Sequence, residues 1–315
     1  MNGNKPRVSI GLPVYNGENY LAEALDSILT QTYADFELII SDNASTDRTK
    51  GICGAYAAKD RRIRYYHNEK NLGAAKNYNR VFELSSGEYF KWAAHDDLCA
   101  PELLERSVDV LDREPEAIMC YAKTILIVEQ GEIIEYHHDG FDLRSPKPQE
   151  RFRQFFHSSA WCHPVFGLIR SSVLKKTMLI GNFASSDKVL LGELAILGKC
   201  YEVPEYLAYR RIHSQISTQA YASDEDRAAW FDPTTRGRIA APRWKRFLEY
   251  LKAIERAQLR WPDRVGCYIE LARFYVAPER FKGLTRDVRQ CGRVVMNFFS
   301  NHLRETKTAK KADAD

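Results

Sequence analysis

Two adjacent carboxylates, Asp96 and Asp97, close the apolar run "EYFKWAA" in the stretch "WAAHDDLCAPELLE". Like charges side by side repel and raise one pKa, unless a cation lies close enough to keep both ionised. Hard oxygen ligands select Mg2+ or Mn2+, which take one or two protein carboxylates and fill the remaining positions with phosphate oxygens and water. Three other short stretches carry polar groups in the same kind of place, just after an apolar run. They are "PVYNGENY" with Tyr15 and Asn16, "DNASTD" with Asp42 and Asn43, and "NEKNLGAAKN" with Asn71. An aromatic to stack on a base, amide and carboxylate acceptors for base and ribose, and a carboxylate pair for a cation together suit a nucleotide diphosphate. Each stretch also has a plainer use, since Asp, Asn, Ser and Thr favour turns and helix caps. A cap needs one short side chain, however, and the pair at 96–97 supplies two.

These groups need elements that bring them to one edge. From Arg7 to about Leu126, short β-rich runs ("RVSIGL", "FELIISD", "RIRYYHN", "EYFKWAA", "AIMCYAKTILIV") alternate with helical patterns, which predicts βα units around a mostly parallel sheet. In such sheets ligands bind at the carboxyl ends of the strands. "NYLAEALDSILTQ" places Leu21, Leu25, Ile28 and Leu29 on one helical face, and "PELLERSVDVLDRE" does the same with Leu103, Leu104, Val108 and Leu111, with Pro101 at the first helical position. "VEQGEIIEY" predicts a hairpin turning at Gln130-Gly131, so the sheet becomes mixed after its first half. "ERFRQFFHS" and "DKVLLGELAILG" predict helices, "PVFGLIR" a strand, and "KCYEVPEYLAYRR" a pair of short strands. Residues 213–235 have no periodicity and predict a mobile loop, 236–303 a helical extension, and 304–315 a disordered tail.

The chain has 315 residues, 44% of them hydrophobic, which is enough for one large α/β domain with additions. The net charge of +4 suggests no nucleic-acid partner, although basic residues gather after Arg236. Seven cysteines, odd in number, widely spaced and without a CxxC pair, argue against both a disulfide framework and a zinc site and suit a reducing cytosol. No apolar stretch reaches the roughly 20 residues of a membrane span. Neither GxGxxG nor GxxxxGK[ST] occurs, which disfavours nicotinamide enzymes and P-loop nucleotidases.

"VSIGLPVYNGENYLAEALDSILTQTYADFELIISDNASTDRT" followed by "NLGAAKNYNRVFELSSGEYFKWAAHDDLCAPELLE" resembles the nucleotide-sugar-binding half of a family 2 glycosyltransferase with the GT-A fold. A weaker likeness, through "GLIR" and "SSDKVLLGELAILGKCYEVPEYLAYRRIH", extends to about residue 213. The resemblance implies a donor half at 1–112, an acceptor half at 113–235, and a helical C-terminal extension. It implies that Pro13, Tyr15 and Asn16 line the base pocket, that Asp42 accepts from the base, and that Asn43 and Asn71 belong to the same donor site. It further implies Asp96 on ribose or sugar, and Asp97 on a Mg2+ or Mn2+ that bridges the diphosphate. Where the family commonly has a further Asp, this chain has Ala94. His213 in "YRRIH" is implied as a further metal ligand, Arg211 as a charge on the departing diphosphate, and Asp187 in "SSDKVLL" as the base that deprotonates the acceptor hydroxyl. The family inverts configuration, so an α-linked sugar, UDP being the expected carrier, would give a β-linked product on a saccharide or lipid-linked saccharide. Asp187 has a bland alternative as a helix cap.

Two rivals follow from the same residues. A sugar-phosphate nucleotidyltransferase would show a Gly-rich basic loop after the first strand, which "PVYNGENY" is not. A non-catalytic nucleotide-binding scaffold would have a degenerate site, for which Ala94 is the support. The Arg- and aromatic-rich C-terminal helices offer a peripheral contact with the inner face of a membrane, a homodimer surface, or simple packing against the catalytic domain.

Overall fold

Residues 5–158, 162–216, 223–236 and 241–289 are described by a computed structural model. Strands β1 (Val8–Val14) and β2 (Phe36–Asp42) are buried along their whole length, as parallel strands covered on both faces must be. β2 runs parallel to β1 on one side and to β3 (Ile63–His67) on the other, and β1 runs parallel to β4 (Tyr89–Trp92). The four carboxyl ends therefore meet at one edge. Crossover helices α1 (Leu21–Leu29), α2 (Thr49–Lys59) and α3 (Ala74–Glu83) cover the sheet. α1 buries Leu21, Ala24, Leu25 and Ile28, the face its spacing predicts. Pro13 sits in a central strand without breaking it. β4 pairs with β1 only as far as Gly11, so the missing N–H of Pro13 falls beyond the ladder on that side.

Past β4 the sheet turns mixed. β5 (Leu98–Cys99) and α4 (Leu103–Arg113) lead into the long β6 (Ala117–Ile127), which forms a hairpin with β7 (Ile133–His137) through Gly131 at φ +91°. After α5 (Pro148–His157), β8 (Leu168–Arg170) inserts antiparallel between β4 and β6. α6 (Ser171–Leu174) and α7 (Ser186–Leu197) follow, and β9 (Lys199–Arg211) then runs parallel to β6 and takes β5 antiparallel on its far side. Among the described residues the strand order is β3-β2-β1-β4-β8-β6-β9-β5, with β7 on β6. This is the expected α/β architecture, a mixed sheet flanked by helices.

Three local expectations are corrected. Pro101 precedes the helix rather than opening it, because α4 starts at Leu103 after a turn. The two short strands expected at 199–211 are one strand, which absorbs exposed Pro204 through register shifts against Ala122, Lys123 and Thr124. The expected loop at 213–235 contains helix α8 (Asp224–Phe231), where Ser223 Oγ accepts from the Asp226 amide at 3.0 Å and Asp224, Glu225 and Asp226 favour the positive end of the helix dipole. Residues 217–222 of that expectation, 290–303 of the helical extension and the tail at 304–315 lie outside the described residues.

The C-terminal helices α9 (Pro242–Arg256) and α10 (Trp261–Val276), with the helical segment 278–289, pack on α5 and α7 through Phe152, Val189, Ile196, Tyr250, Ile254 and Leu271. Burial of an Ile or Leu of this kind contributes about 1.5–3 kcal/mol. Arg256 adds a 2.7 Å ion pair to buried Glu193. Arg151 donates to the Ala195 and Ile196 carbonyls, which the end of α7 leaves without helical partners. Among the described residues no helix is long and apolar enough to cross a membrane, and all six described cysteines are free thiols.

Candidate active site

The loops after β1, β2 and β3 are joined by side chains into one polar edge. Asn16, at φ +51°, accepts from the Thr46 amide at 2.9 Å and donates its own amide to Ser45 Oγ. Gly17 follows because His95 lies against it; a Cβ there would meet His95 Cδ2 at 2.7 Å. Asn43 donates to Asn71 Oδ1 at 2.9 Å and accepts from the Leu72 amide at 2.8 Å, which pins the loop after β3. Asp42 is fully buried and accepts from the Ser45 amide (2.9 Å) and the Tyr65 hydroxyl (2.9 Å), with His67 Nδ1 at 3.0 Å. Burial pushes its carboxyl up, but the bonds from Ser45, His67 and Tyr65 outweigh this and hold it below its ordinary value. Tyr15 stands 42% exposed beside this edge, whereas Pro13 is buried.

The carboxylate pair divides its partners. Asp96 Oδ2 lies 3.0 Å from His213 Nε2. Burial raises the Asp96 carboxyl, yet the His213 bond and the charges of His95 and Arg210 bring it below its ordinary value. Asp97 Oδ1 accepts the Arg211 amide at 3.0 Å, and Asp97 Oδ2 has no hydrogen bond among the described residues. Burial, reinforced by the negative Asp96, pushes the Asp97 carboxyl up despite the opposing charge of Arg210. The two protons belong to the pair rather than to either residue. A divalent cation fits this donor set, because an oxygen free of hydrogen bonds and a carboxyl short of positive charge are what a hard cation relieves.

Asp187 occupies the first turn of α7 and accepts from the Lys188 amide at 2.8 Å, and the Cys162 thiol is pushed well up by burial and by the negative Asp187. The Tyr78 phenol is raised first by burial and then by the negative Asp96 and Asp97, with Arg210 opposing. Beside Lys188 opens a cavity of about 480 Å³, walled by Phe155, Tyr250 and Phe274 and by Arg246, Arg280 and Arg286.

A sequence profile for Glycosyl transferase family 2 matches residues 9–178. The chain belongs to this family. An uncharacterised glycosyltransferase of Rickettsia typhi is 32% identical over 238 residues, 73% of this chain and 72% of its own. Another, of Rickettsia felis, is 38% identical over 135 residues, 42% of this chain but only 22% of its own longer one. Among solved structures, S. aureus TarS 1–349 superposes with a TM-score of 0.63 at 17% identity, covering 88% of this chain and 74% of that one. The same protein in complex with UDP-GlcNAc gives 0.59 at 19%, covering 88% and 83%. The mannosyltransferase PcManGT from Pyrobaculum calidifontis, in complex with GDP-Man and Mn2+, gives 0.52 at 15%, covering 94% and 88%. At such identities the likeness is one of fold, the GT-A arrangement.

In the transferase, Asp96, Asp97 and His213 come together as one group, and Asn16, Asp42, Asn43 and Asn71 as another. Arg211 does not join the site with its charge. Its guanidinium is 1% exposed, donates to the Asp96 and Glu129 carbonyls, pairs with Glu23 at 2.7 Å and stacks on Tyr20. The neighbour that faces the carboxylates is Arg210, whose buried Nε has no hydrogen-bond partner among the described residues. Side chains alternate across a strand, so 210 and 211 must point to opposite faces; reading "YRR" as the end of a strand was the available signal. Tyr78 was also missed, because nothing local distinguishes it from a packed helix aromatic.

Proposed function

We propose that the transferase moves a sugar from a nucleotide diphosphate, UDP being the first candidate, to a hydroxyl of a saccharide or lipid-linked saccharide, with inversion. The observation that carries this reading is the polar edge at the carboxyl ends of the parallel strands, where Asn16, Asp42, Asn43 and Asn71 are tied together and the Asp96–Asp97 pair meets His213. Tyr15, with its exposed ring, stacks on the base, while Asp42, Asn43 and Asn71 set the edge that receives base and ribose. Asp96 holds the ribose or sugar. Asp97 would hold Mg2+ or Mn2+, which supplies positive charge to the diphosphate as it leaves. Arg210 adds charge from the protein at the same end. Asp187 takes the proton from the acceptor hydroxyl, approached from the cavity beside Lys188, whose aromatic walls suit sugar faces and whose arginines favour an acceptor bearing negative charge. His213 keeps Asp96 oriented and becomes a metal ligand only if its 3.0 Å contact with Asp96 is given up.

The complexes of TarS with UDP-GlcNAc and of PcManGT with GDP-Man and Mn2+ support a nucleotide-sugar donor and a cation on this fold. The test is Asp187→Asn, assayed twice. Calorimetric titration with UDP and Mn2+ should give unchanged binding, while sugar transfer should fall by about 10²–10⁴-fold, the usual worth of a general base. Unchanged turnover would remove Asp187 from the role. Absence of metal-dependent UDP binding in the wild type would favour a scaffold, and turnover of UTP with a sugar phosphate would favour a nucleotidyltransferase.

A further inference from the structure

His137, Asp139 and His163 lie apart from the Asp96–Asp97 pair and play no part in the reaction above. His137 ends β7, Asp139 follows it two residues on, and His163 opens the short 3-10 turn His163–Phe166 that leads into β8. Asp139 is 2% exposed, and neither of its carboxylate oxygens has a hydrogen-bond donor among the described residues. An anion so deeply buried needs compensating charge or a metal. What faces it is a pair of imidazoles, with His163 Nδ1 at 3.4 Å and His137 Nε2 at 3.7 Å from the same Oδ1. One ligand atom from each of the three residues falls within 4.8 Å of the others. The rings stand edge to face, with centroids 5.1 Å apart. Ligands at about 2.0–2.2 Å around a tetrahedral Zn2+ are about 3.3–3.5 Å from each other, and the spacings of the two imidazole nitrogens from Oδ1, 3.4 and 3.7 Å, are of that size.

We propose that His137 Nε2, Asp139 Oδ1 and His163 Nδ1 form a metal site distinct from Asp97, suited to Zn2+ or a similar borderline transition metal. Two imidazoles and one carboxylate are borderline ligands, softer than the all-oxygen surroundings that select Mg2+. The ion would tie the end of the β6–β7 hairpin to the segment before β8. That segment carries Cys162, which with Lys188 lines the cavity beside α7, so the site would steady that wall. It takes no step in sugar transfer.

The test uses the full chain, stripped with a chelator, dialysed and titrated with Zn2+ in the calorimeter, then loaded with Co2+ for its visible spectrum. About one Zn2+ per folded chain and intense tetrahedral Co2+ bands are expected, with zinc binding retained in Asp97→Asn. His137→Gln and His163→Gln should weaken zinc by more than about 100-fold, since changes outside the ligand set alone cost about 10–100-fold. If these variants fold poorly, X-ray absorption on the zinc-loaded wild type decides, two imidazoles being expected. Octahedral weak Co2+ bands, zinc affinity unchanged in both Gln variants, or zinc lost with Asp97→Asn would each overturn the proposal. An Asp139 carboxylate merely paired with a protonated imidazole would give no stoichiometric Zn2+ binding, and that too would overturn it.

Discussion

The edge proposed for the donor and the side proposed for the acceptor are built by different means in this transferase. At the donor edge, loops that directly follow β1, β2 and β3 are stitched by short polar side chains, Asn16 to Thr46 and Asn43 to Asn71, before any ligand arrives. Among the described residues, the side proposed for the acceptor is held mainly by packing. Its cavity is enclosed by α5, α7 and the C-terminal helices, with aromatic rings and arginines from distant parts of the chain. The first arrangement suits a ligand whose parts are always the same, a base, a ribose and a diphosphate, and pre-formed hydrogen bonds lower the cost of ordering it. The second leaves shape and charge to residues that can change without disturbing the sheet.

The sharpest break of this contrast is Asp97→Asn. It should abolish metal-dependent UDP binding in calorimetry and lower transfer by about 10³-fold, because charge on the departing diphosphate loses its cation. Removal of Mn2+ and Mg2+ from the wild type with a chelator should reproduce the loss. If Asp97→Asn binds UDP and Mn2+ as the wild type does, the donor edge is not where the cation sits.

The two neighbouring arginines should separate chemistry from architecture. Arg211→Met should lower the unfolding free energy by about 3 kcal/mol, measured in urea, since it leaves the Asp96 and Glu129 carbonyls and Glu23 without their donor. Arg210→Met should leave stability within about 1 kcal/mol and weaken UDP binding by about 10-fold, as one charge lost at the diphosphate end. Reversed effects would mean that 211 turns towards the donor in the complex.

A smaller effect concerns acid. The folded state holds Asp42 below its ordinary value, so it binds that proton less readily than the unfolded chain does. Its stabilisation is therefore complete above the unfolded carboxyl value of about 3.9 and is lost as pH falls through the lower folded value. The melting-temperature gap between wild type and Asp42→Asn should be constant near neutrality and shrink only below about pH 4. A gap that shrinks already near pH 6 would show that the Asp42 carboxyl is not the group responsible.

Much of the donor edge was legible in the chain because its residues follow their strands immediately, so strand order alone brings Tyr15, Asp42, Asn71 and Asp97 to one edge. Helix α8 was legible too, in the Ser223-to-Asp226 cap, but its polar composition hid it. Pro204 divided β9 on paper, whereas the register shifts against β6 tolerate it. The C-terminal helices carried an ambiguous signal, basic and aromatic at once; their buried face meets α5 and α7, while Trp261 remains 72% exposed.

By itself, then, the sequence determined the alternating α/β order, the family, and the polar groups at the strand ends, because these depend on local periodicity and on neighbours along the chain. Only the tertiary structure decided which arginine of 210 and 211 faces the carboxylates, that His213 meets Asp96, and that His137 and Asp139 find His163 across a stretch with no common motif. These outcomes depend on strand parity, bulges and long-range packing, where a one-residue shift turns a side chain to the opposite face.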